Sequence, residues 1–131
     1  MKYRIVRENK PTLKNFGRYK AAAMHFQTIT PEMVAQEIQD NCSAKASDVE
    51  LVLTELSAVL LRHLKQGDRV RLKHIGMLKL EIESEKVDAP DDFNARKHIR
   101  GVRLHLLPES QKGRQEVYED VKFERWRGLY I

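Results

Sequence analysis

The chain has 131 residues, with 24 lysines and arginines against 19 acids, a formal net charge of +5 and one cysteine. That length is one modest domain on the usual prior, and no apolar run approaches the roughly 20 residues that cross a bilayer. Arg4, Arg7, Glu8 and Lys10 leave no apolar signal-peptide core, and the lone Cys42 leaves no disulfide framework, so a reducing cytoplasm is expected.

The first segment, residues 2–8, alternates tyrosine, isoleucine and arginine as a half-solvated strand does. Residues 9–17, with Pro11, Asn15 and Gly17, read as a loop. Tyr19 to Thr28 is a second strand candidate, although the alanines at 21–23 suit a helix equally. Together they predict an N-terminal hairpin over residues 1–28.

Thr30-Pro31 is a helix start, a capping hydroxyl followed by proline where its missing amide costs nothing. Met33, Val34, Ala35 and Ile38 carry that helix to about Asn41, and Ser43–Ala46 is the turn. Ser47 and Glu50 have the spacing of a capping box at the start of a second helix. Val49, Val52, Leu53, Leu56, Val59, Leu60 and Leu64 then form its apolar stripe, and Gly67 stops it. On a helical wheel Leu51, Ala58 and Leu61 fall away from that stripe. One helix pair and a few short strands cannot cover two sides of one helix, so a second chain is expected at Leu51, Leu56, Val59, Leu60 and Leu61.

Val70 and Leu72, then Leu78, Leu80 and Ile82, alternate around a turn at His74-Ile75-Gly76, which predicts a hairpin. Its outer faces carry Arg69, Arg71, Lys73 and Lys79. Residues 83–100 are an excursion, with Glu83, Glu85, Asp88, Asp91 and Asp92 against Lys86, Arg96, Lys97 and Arg100. The chain returns as a strand at Val102, Leu104 and Leu106, and Pro108 ends it. Residues 109–120 suit a short terminal helix with Val117 inward, despite Gly113. The aromatic tail, Val121 to Ile131, is expected to pack on the body through Trp126 and Tyr130.

Charge follows these elements. Residues 1–29 carry a surplus of six positive charges, residues 30–67 run three negative, and residues 68–82 are two positive. The basic charge belongs to the strands, which makes a sheet surface the expected contact face for a polyanion. Nothing points to catalysis: no nucleophile elbow, Gly-rich phosphate loop or paired-carboxylate motif stands out. Neither His63, set in the apolar stripe, nor Cys42 has a zinc-site spacing to another ligand. No metal, cofactor or small-molecule substrate is expected.

The order helix, turn, long helix, GDRVRLKHIGMLKLEI at 67–82, excursion, and VRLHLLP at 102–108 resembles the HU/IHF family of bacterial histone-like DNA-binding proteins. The added N-terminal hairpin, the V-D-A-P-D-D-F arm and the closing V-K-F-E at 121–124 look closer to the HU-like proteins of Bacteroidetes. The resemblance implies an α+β fold: a helix-turn-helix pair and an antiparallel sheet with an extended β-arm, over residues 29–120 of a single 1–131 domain. The 1–28 hairpin, the short terminal helix and the 121–131 tail complete it. It implies a non-catalytic, nucleoid-associated homodimer whose arms reach around duplex DNA along the minor groove and bend it, largely without sequence preference. Carried over by position, the contacts are Lys86, Arg96, Lys97 and Arg100 on the arm, Arg103 on the returning strand, and Lys73 and Lys79 on the body. Pro90 is the candidate wedge between base steps, with a plain loop proline as the alternative. The chain departs from the family at the arm tip, where Asp88, Asp91 and Asp92 flank Pro90. It departs also at the turn, where His74-Ile75-Gly76-Met77 replaces glycine-phenylalanine-glycine. Acidic residues near phosphates oppose tight wrapping, so a dimerisation or interaction module of the same fold is the alternative. Binding to RNA is a third reading.

Overall fold

A computed structural model describes residues 1–111 and 114–128. Its described residues form two compact units, one from Met1–Thr30 and Asp120–Ile131 and the other from Pro31–Glu119.

In the first unit, β1 (Lys2–Arg7) pairs antiparallel with β2 (Tyr19–Ala23), from Tyr3 opposite Ala23 to Arg7 opposite Tyr19. The hairpin expected from residues 1–28 is therefore present, with β2 stopping at Ala23 rather than Thr28. Gly17 closes the connecting loop at φ +82, a conformation that favours glycine.

The larger unit opens with α1 (Pro31–Asn41) and α2 (Ala46–Lys65), two helices in contact and joined by a short turn. The capping box does not form. Lys45 is the N-cap, with no side-chain cap of its own. Gln39 of α1 instead reaches across, its Oε1 accepting from the Ala46 amide at 2.7 Å. Helix α2 begins one residue before Ser47, which places Ser47 inside the first turn rather than at the cap. Gln39→Ala should therefore cost about 0.5–2 kcal/mol, as N-cap removal does. A thermal melt that leaves this variant unchanged would refute that role.

The C-terminal end of α2 is as expected. Gly67 adopts φ +91, its amide donates to Leu64 O at 3.1 Å, and the Asp68 amide donates to His63 O at 3.1 Å. These are the two bonds of a Schellman cap, which satisfy carbonyls that otherwise face no donor.

Strand β3 (Val70–Leu72) then turns at residues 73–75 into β4 (Gly76–Ser84), and β5 (Ile99–Pro108) completes an antiparallel sheet in the order β3-β4-β5. Register runs from Gly76 opposite Pro108 to Glu83 opposite Gly101, with an irregularity at Glu83/Ser84 that leaves Ser84 opposite Ile99. The returning strand thus begins three residues before Val102. Side chains alternate across a strand, so Leu78, Leu80, Ile82, Val102, Leu104 and Leu106 share one face of the ribbon. Lys79, Glu81, Arg103 and His105 share the other.

The terminal helix over 109–120 is not there. The described residues of that stretch form a two-residue ladder, β6 (Ser110–Gln111) with β7 (Arg114–Gln115), followed by one 3₁₀ turn at Glu116–Tyr118. Val117 is exposed, not inward. A segment this short, broken by a glycine and offering no apolar stripe, cannot repay helix nucleation. Gly113 and Tyr130 lie outside the described residues.

One strand was absent from the sequence reading. β8 (Glu124–Arg125) joins β1 in parallel, with Tyr3 opposite Arg125, giving the first unit a three-stranded sheet in the order β2-β1-β8. Trp126, which the tail was expected to pack, lies edge-on to Phe26 with ring centroids 5.2 Å apart. The Lys2 ammonium sits 4.8 Å from the Trp126 ring.

Among the described residues only Ala35, Val49 and Leu64 are buried apolar side chains. A soluble domain of this size normally hides some 60% or more of its chain surface. The apolar stripe of α2 is open at Val52, Leu56 and Val59, and the apolar face of the β4–β5 ribbon is open at Ile82, Val102, Leu104 and Leu106, with Leu78 and Leu80 half-buried.

Candidate nucleic-acid interface

The tip of the ribbon is the first part of the site. Beyond Ser84 the chain leaves extended structure: Pro90–Asp92 is a single 3₁₀ turn, with proline opening it, and Ala95–His98 is a one-turn helix, α3. Proline's fixed φ and missing amide suit the first position of such a turn. Asn94 caps α3, its Oδ1 accepting from the Arg96 amide at 3.0 Å and the Lys97 amide at 3.4 Å. The Asn94 amide in turn donates to Nδ1 of His98 at 2.8 Å, which puts the ring proton on Nε2 in this arrangement. The His98 ring lies against Phe93 at 5.4 Å. This local knot holds Arg96 and Lys97 on one exposed turn.

The base of the tip is clasped by Glu85 and Arg100. The Glu85 amide donates to His98 O at 2.8 Å, and Arg100 Nη2 donates to the Glu85 carboxylate at 2.7 Å. A guanidinium at that distance favours the ionised acid, so the Glu85 carboxyl is held below, and the Arg100 guanidinium above, its ordinary range.

On the polar face of the ribbon, Glu81 is bracketed by Arg103 at 2.8 Å and Lys79 at 3.3 Å. Those two hydrogen bonds, Arg103 first, depress the Glu81 carboxyl, and Arg103 is raised in return. At the foot of the sheet Arg71 forms a forked pair with Glu109, and His74 Nδ1 lies 3.0 Å from Glu116.

The seven cations expected at the interface thus fall into two groups. Lys79, Arg100 and Arg103 are each engaged by an acid of the same chain. Lys73, Lys86, Arg96 and Lys97 have no ion pair among the described residues, and all four are exposed. Three of those four lie in the 86–97 tip. Pro90 is exposed beside Asp91 and Asp92, within its 3₁₀ turn. Of the expected subunit-contact residues, Leu51 is 70% exposed, Leu61 54%, Leu56 41% and Val59 36%, and Leu60 is half-buried.

Sequence reasoning missed the organisers of the tip, Asn94 and His98. Asparagine is a preferred N-cap, and Asn94 directly precedes Ala95-Arg96-Lys97, so a signal was present; the helix is too short to show periodicity. The Glu85–Arg100 and Glu81–Arg103 clasps depend on strand register and had no local signature.

No group of three or more histidine, cysteine, aspartate or glutamate side chains among the described residues could hold a metal ion. No helix among them is long and apolar enough to cross a membrane. The family model described as "HU domain fused to wHTH, Ig, or Glycine-rich motif" matches residues 1–125. No curated protein matches the chain.

Proposed function

Because this chain belongs to the family of HU domains fused to wHTH, Ig or glycine-rich motifs, we propose that it is a non-catalytic, histone-like architectural protein that binds duplex DNA as a homodimer. Binding is largely independent of sequence, driven by phosphate contact and counterion release, and limited by how easily the duplex deforms. The observation that carries this reading is the ribbon tip, where Lys86, Arg96 and Lys97 stand without acid partners among the described residues at the end of a long hairpin. Arg100 and Arg103 support the tip and reach phosphate only by exchanging their carboxylates. Lys73 and Lys79 lie lower, on the body. Pro90, at the entrance of the tip turn, is the candidate wedge.

Burial supports the dimer. The three buried apolar side chains among the described residues cannot offset the conformational entropy of a chain this long, whereas a second copy would cover both open faces of α2. A kinship with the HU-like proteins of Bacteroidetes rests on the added hairpin, the V-D-A-P-D-D-F arm and V-K-F-E. Action in the nucleoid follows from the family.

A second reading has a specific observation behind it. Residues 31–119 carry 14 lysines and arginines against 16 acids, and three of the seven candidate contacts are already neutralised. That balance suits an HU-fold dimerisation module with weak grip on DNA.

One titration separates the two. Labelled duplex is titrated at several salt concentrations with the parent chain and with Arg96→Ala/Lys97→Ala/Arg100→Ala. The DNA-binding reading expects affinity to fall steeply with salt. The triple variant should bind more weakly at every sequence, with a salt slope shallower by about one per lost phosphate contact, while its molar mass stays unchanged. No binding at low salt, or none of this salt dependence, would sink it.

A further inference from the structure

The basic charge of this chain does not sit in the part that carries the arm. Residues 1–30 and 120–131 hold ten lysines and arginines against three acids, while residues 31–119 are net acidic. The whole positive surplus of the protein therefore belongs to the smaller unit, which the duplex reading leaves without a task.

That unit also exposes aromatic and apolar side chains on one face of its sheet. Register puts Tyr3, Ile5 and Arg7 of β1 on the same face as Ala23, Ala21 and Tyr19 of β2, and Arg125 of β8 joins them opposite Tyr3. The alanines opposite Tyr3 and Ile5 keep this face low, and with Met1 and Phe123 they line a shallow apolar depression of about 620 Å³. Tyr19 is 70% exposed and Phe123 71%. Neither ring stacks on another ring among the described residues, unlike Trp126 and Phe26, which are closed on each other and on Lys2. At the Tyr19 edge a second depression of about 520 Å³ is lined by Lys14, Arg18 and Lys20 with Glu8 and Asn15, and there Lys20 pairs with Glu8 on the opposite face.

We propose that this face of the β2-β1-β8 sheet is a platform for single-stranded nucleic acid. Unpaired bases stack on Tyr3, Tyr19 and Phe123, and the phosphates run over Arg7 and Arg125, which share that face. The charge selects a polyanion. The rings select one with accessible π-faces, which a duplex hides within its stack and a single strand offers. Alternating aromatic and cationic side chains on a sheet with small residues between them is the composition such recognition requires, because bases need flat contact and phosphates need mobile cations at the rim. The arm and this platform are built from different residues, and the platform does not depend on the arm gripping duplex.

The test is fluorescence anisotropy on the full chain. The probes are a labelled oligo-deoxythymidine of about 12 nucleotides, within the site size of one sheet platform, and a duplex of equal length. Tyr19→Ala and Phe123→Ala, both at exposed positions, are each expected to weaken oligo-deoxythymidine binding about tenfold and to leave duplex binding unchanged. Phe123→Trp should preserve it, since the stacking surface is kept. The arm triple variant should do the reverse. If the parent chain fails to bind duplex yet binds the single strand through these rings, the duplex reading falls and the platform stands. The proposal is overturned if oligo-deoxythymidine does not bind at low salt, or if the alanine variants bind it as tightly as the parent. It is overturned also if the arm variant abolishes both activities, or if the alanine variants change the molar mass by light scattering without altering oligonucleotide binding. That last result would identify the face as a contact between copies.

Discussion

Glutamate at both Leu51 and Leu61 is expected to abolish the dimer and to unfold the helical unit with it. Each leucine is largely open in one chain, at 70% and 54%, and in the proposed symmetric dimer every contact would count twice. Burying a leucine contributes about 1.5–3 kcal/mol, so four side chains account for about 6–12 kcal/mol, comparable to the whole stability of a small protein. A carboxylate in the same position adds an unpaired charge to an apolar interface. The parent chain should show twice the chain mass by light scattering, and a melting temperature that rises with protein concentration. The double variant should show a largely unfolded circular dichroism spectrum at the same temperature. A well-folded parent monomer at micromolar concentration, or a double variant that keeps the dimer mass, would contradict the two-chain core.

Gly76→Ala is expected to cost about 2–4 kcal/mol, within the range of overpacking in a close contact. A Cβ at this position would stand 2.1 Å from the Leu107 carbonyl oxygen and 2.9 Å from its carbon, with Leu106 Cδ1 at 3.1 Å. The first two are backbone atoms and cannot rotate aside. Either β4 or β5 must move. That strains the pairing of Gly76 with Pro108, the bond from the Glu109 amide to Ile75 O at 2.8 Å and the Arg71–Glu109 pair beside it. Gly67 is the internal control. It also has a positive φ, but nothing lies within 4 Å of an added Cβ, so Gly67→Ala carries only the left-handed penalty of about 1–2 kcal/mol. Chemical denaturation of the three proteins should rank parent, Gly67→Ala, Gly76→Ala in falling stability. Equal losses at the two glycines would show that conformation, not the approach of β5, sets the demand for glycine at Gly76.

The contrast between the two glycines shows where local reading stops. Gly67 is legible, because a helix end followed by glycine is a local event closed by its own chain. Gly76 was legible as a turn residue, but its strictest requirement comes from Leu107, thirty-one positions later. The hairpin over 70–82 and both helices were readable from apolar period alone. The cap on α2 departs from the local Ser47–Glu50 spacing because Gln39, seven residues before Ala46 and across the turn, accepts from the Ala46 amide instead. The 109–120 helix was misassigned because propensity without a buried stripe does not make a helix. β8 was invisible, since a two-residue strand has no period and exists only because β1 offers it an edge.

The candidate site divides the same way. Which residue types gather between 83 and 103, and that the positive charge follows the strands, can be read from the sequence, because charge is carried by residue identity. Which cations remain unpaired was decided only by the fold, because Glu85 meets Arg100, and Glu81 meets Arg103, through the antiparallel register of β4 and β5. Side-chain period alone specifies two helices, two hairpins and an apolar surface that the described residues leave open. That Arg96 and Lys97 share an exposed capped turn, and that Tyr19 comes level with Arg7 on one face, is a product of the folded chain. Both depend on pairing between segments that no local pattern connects.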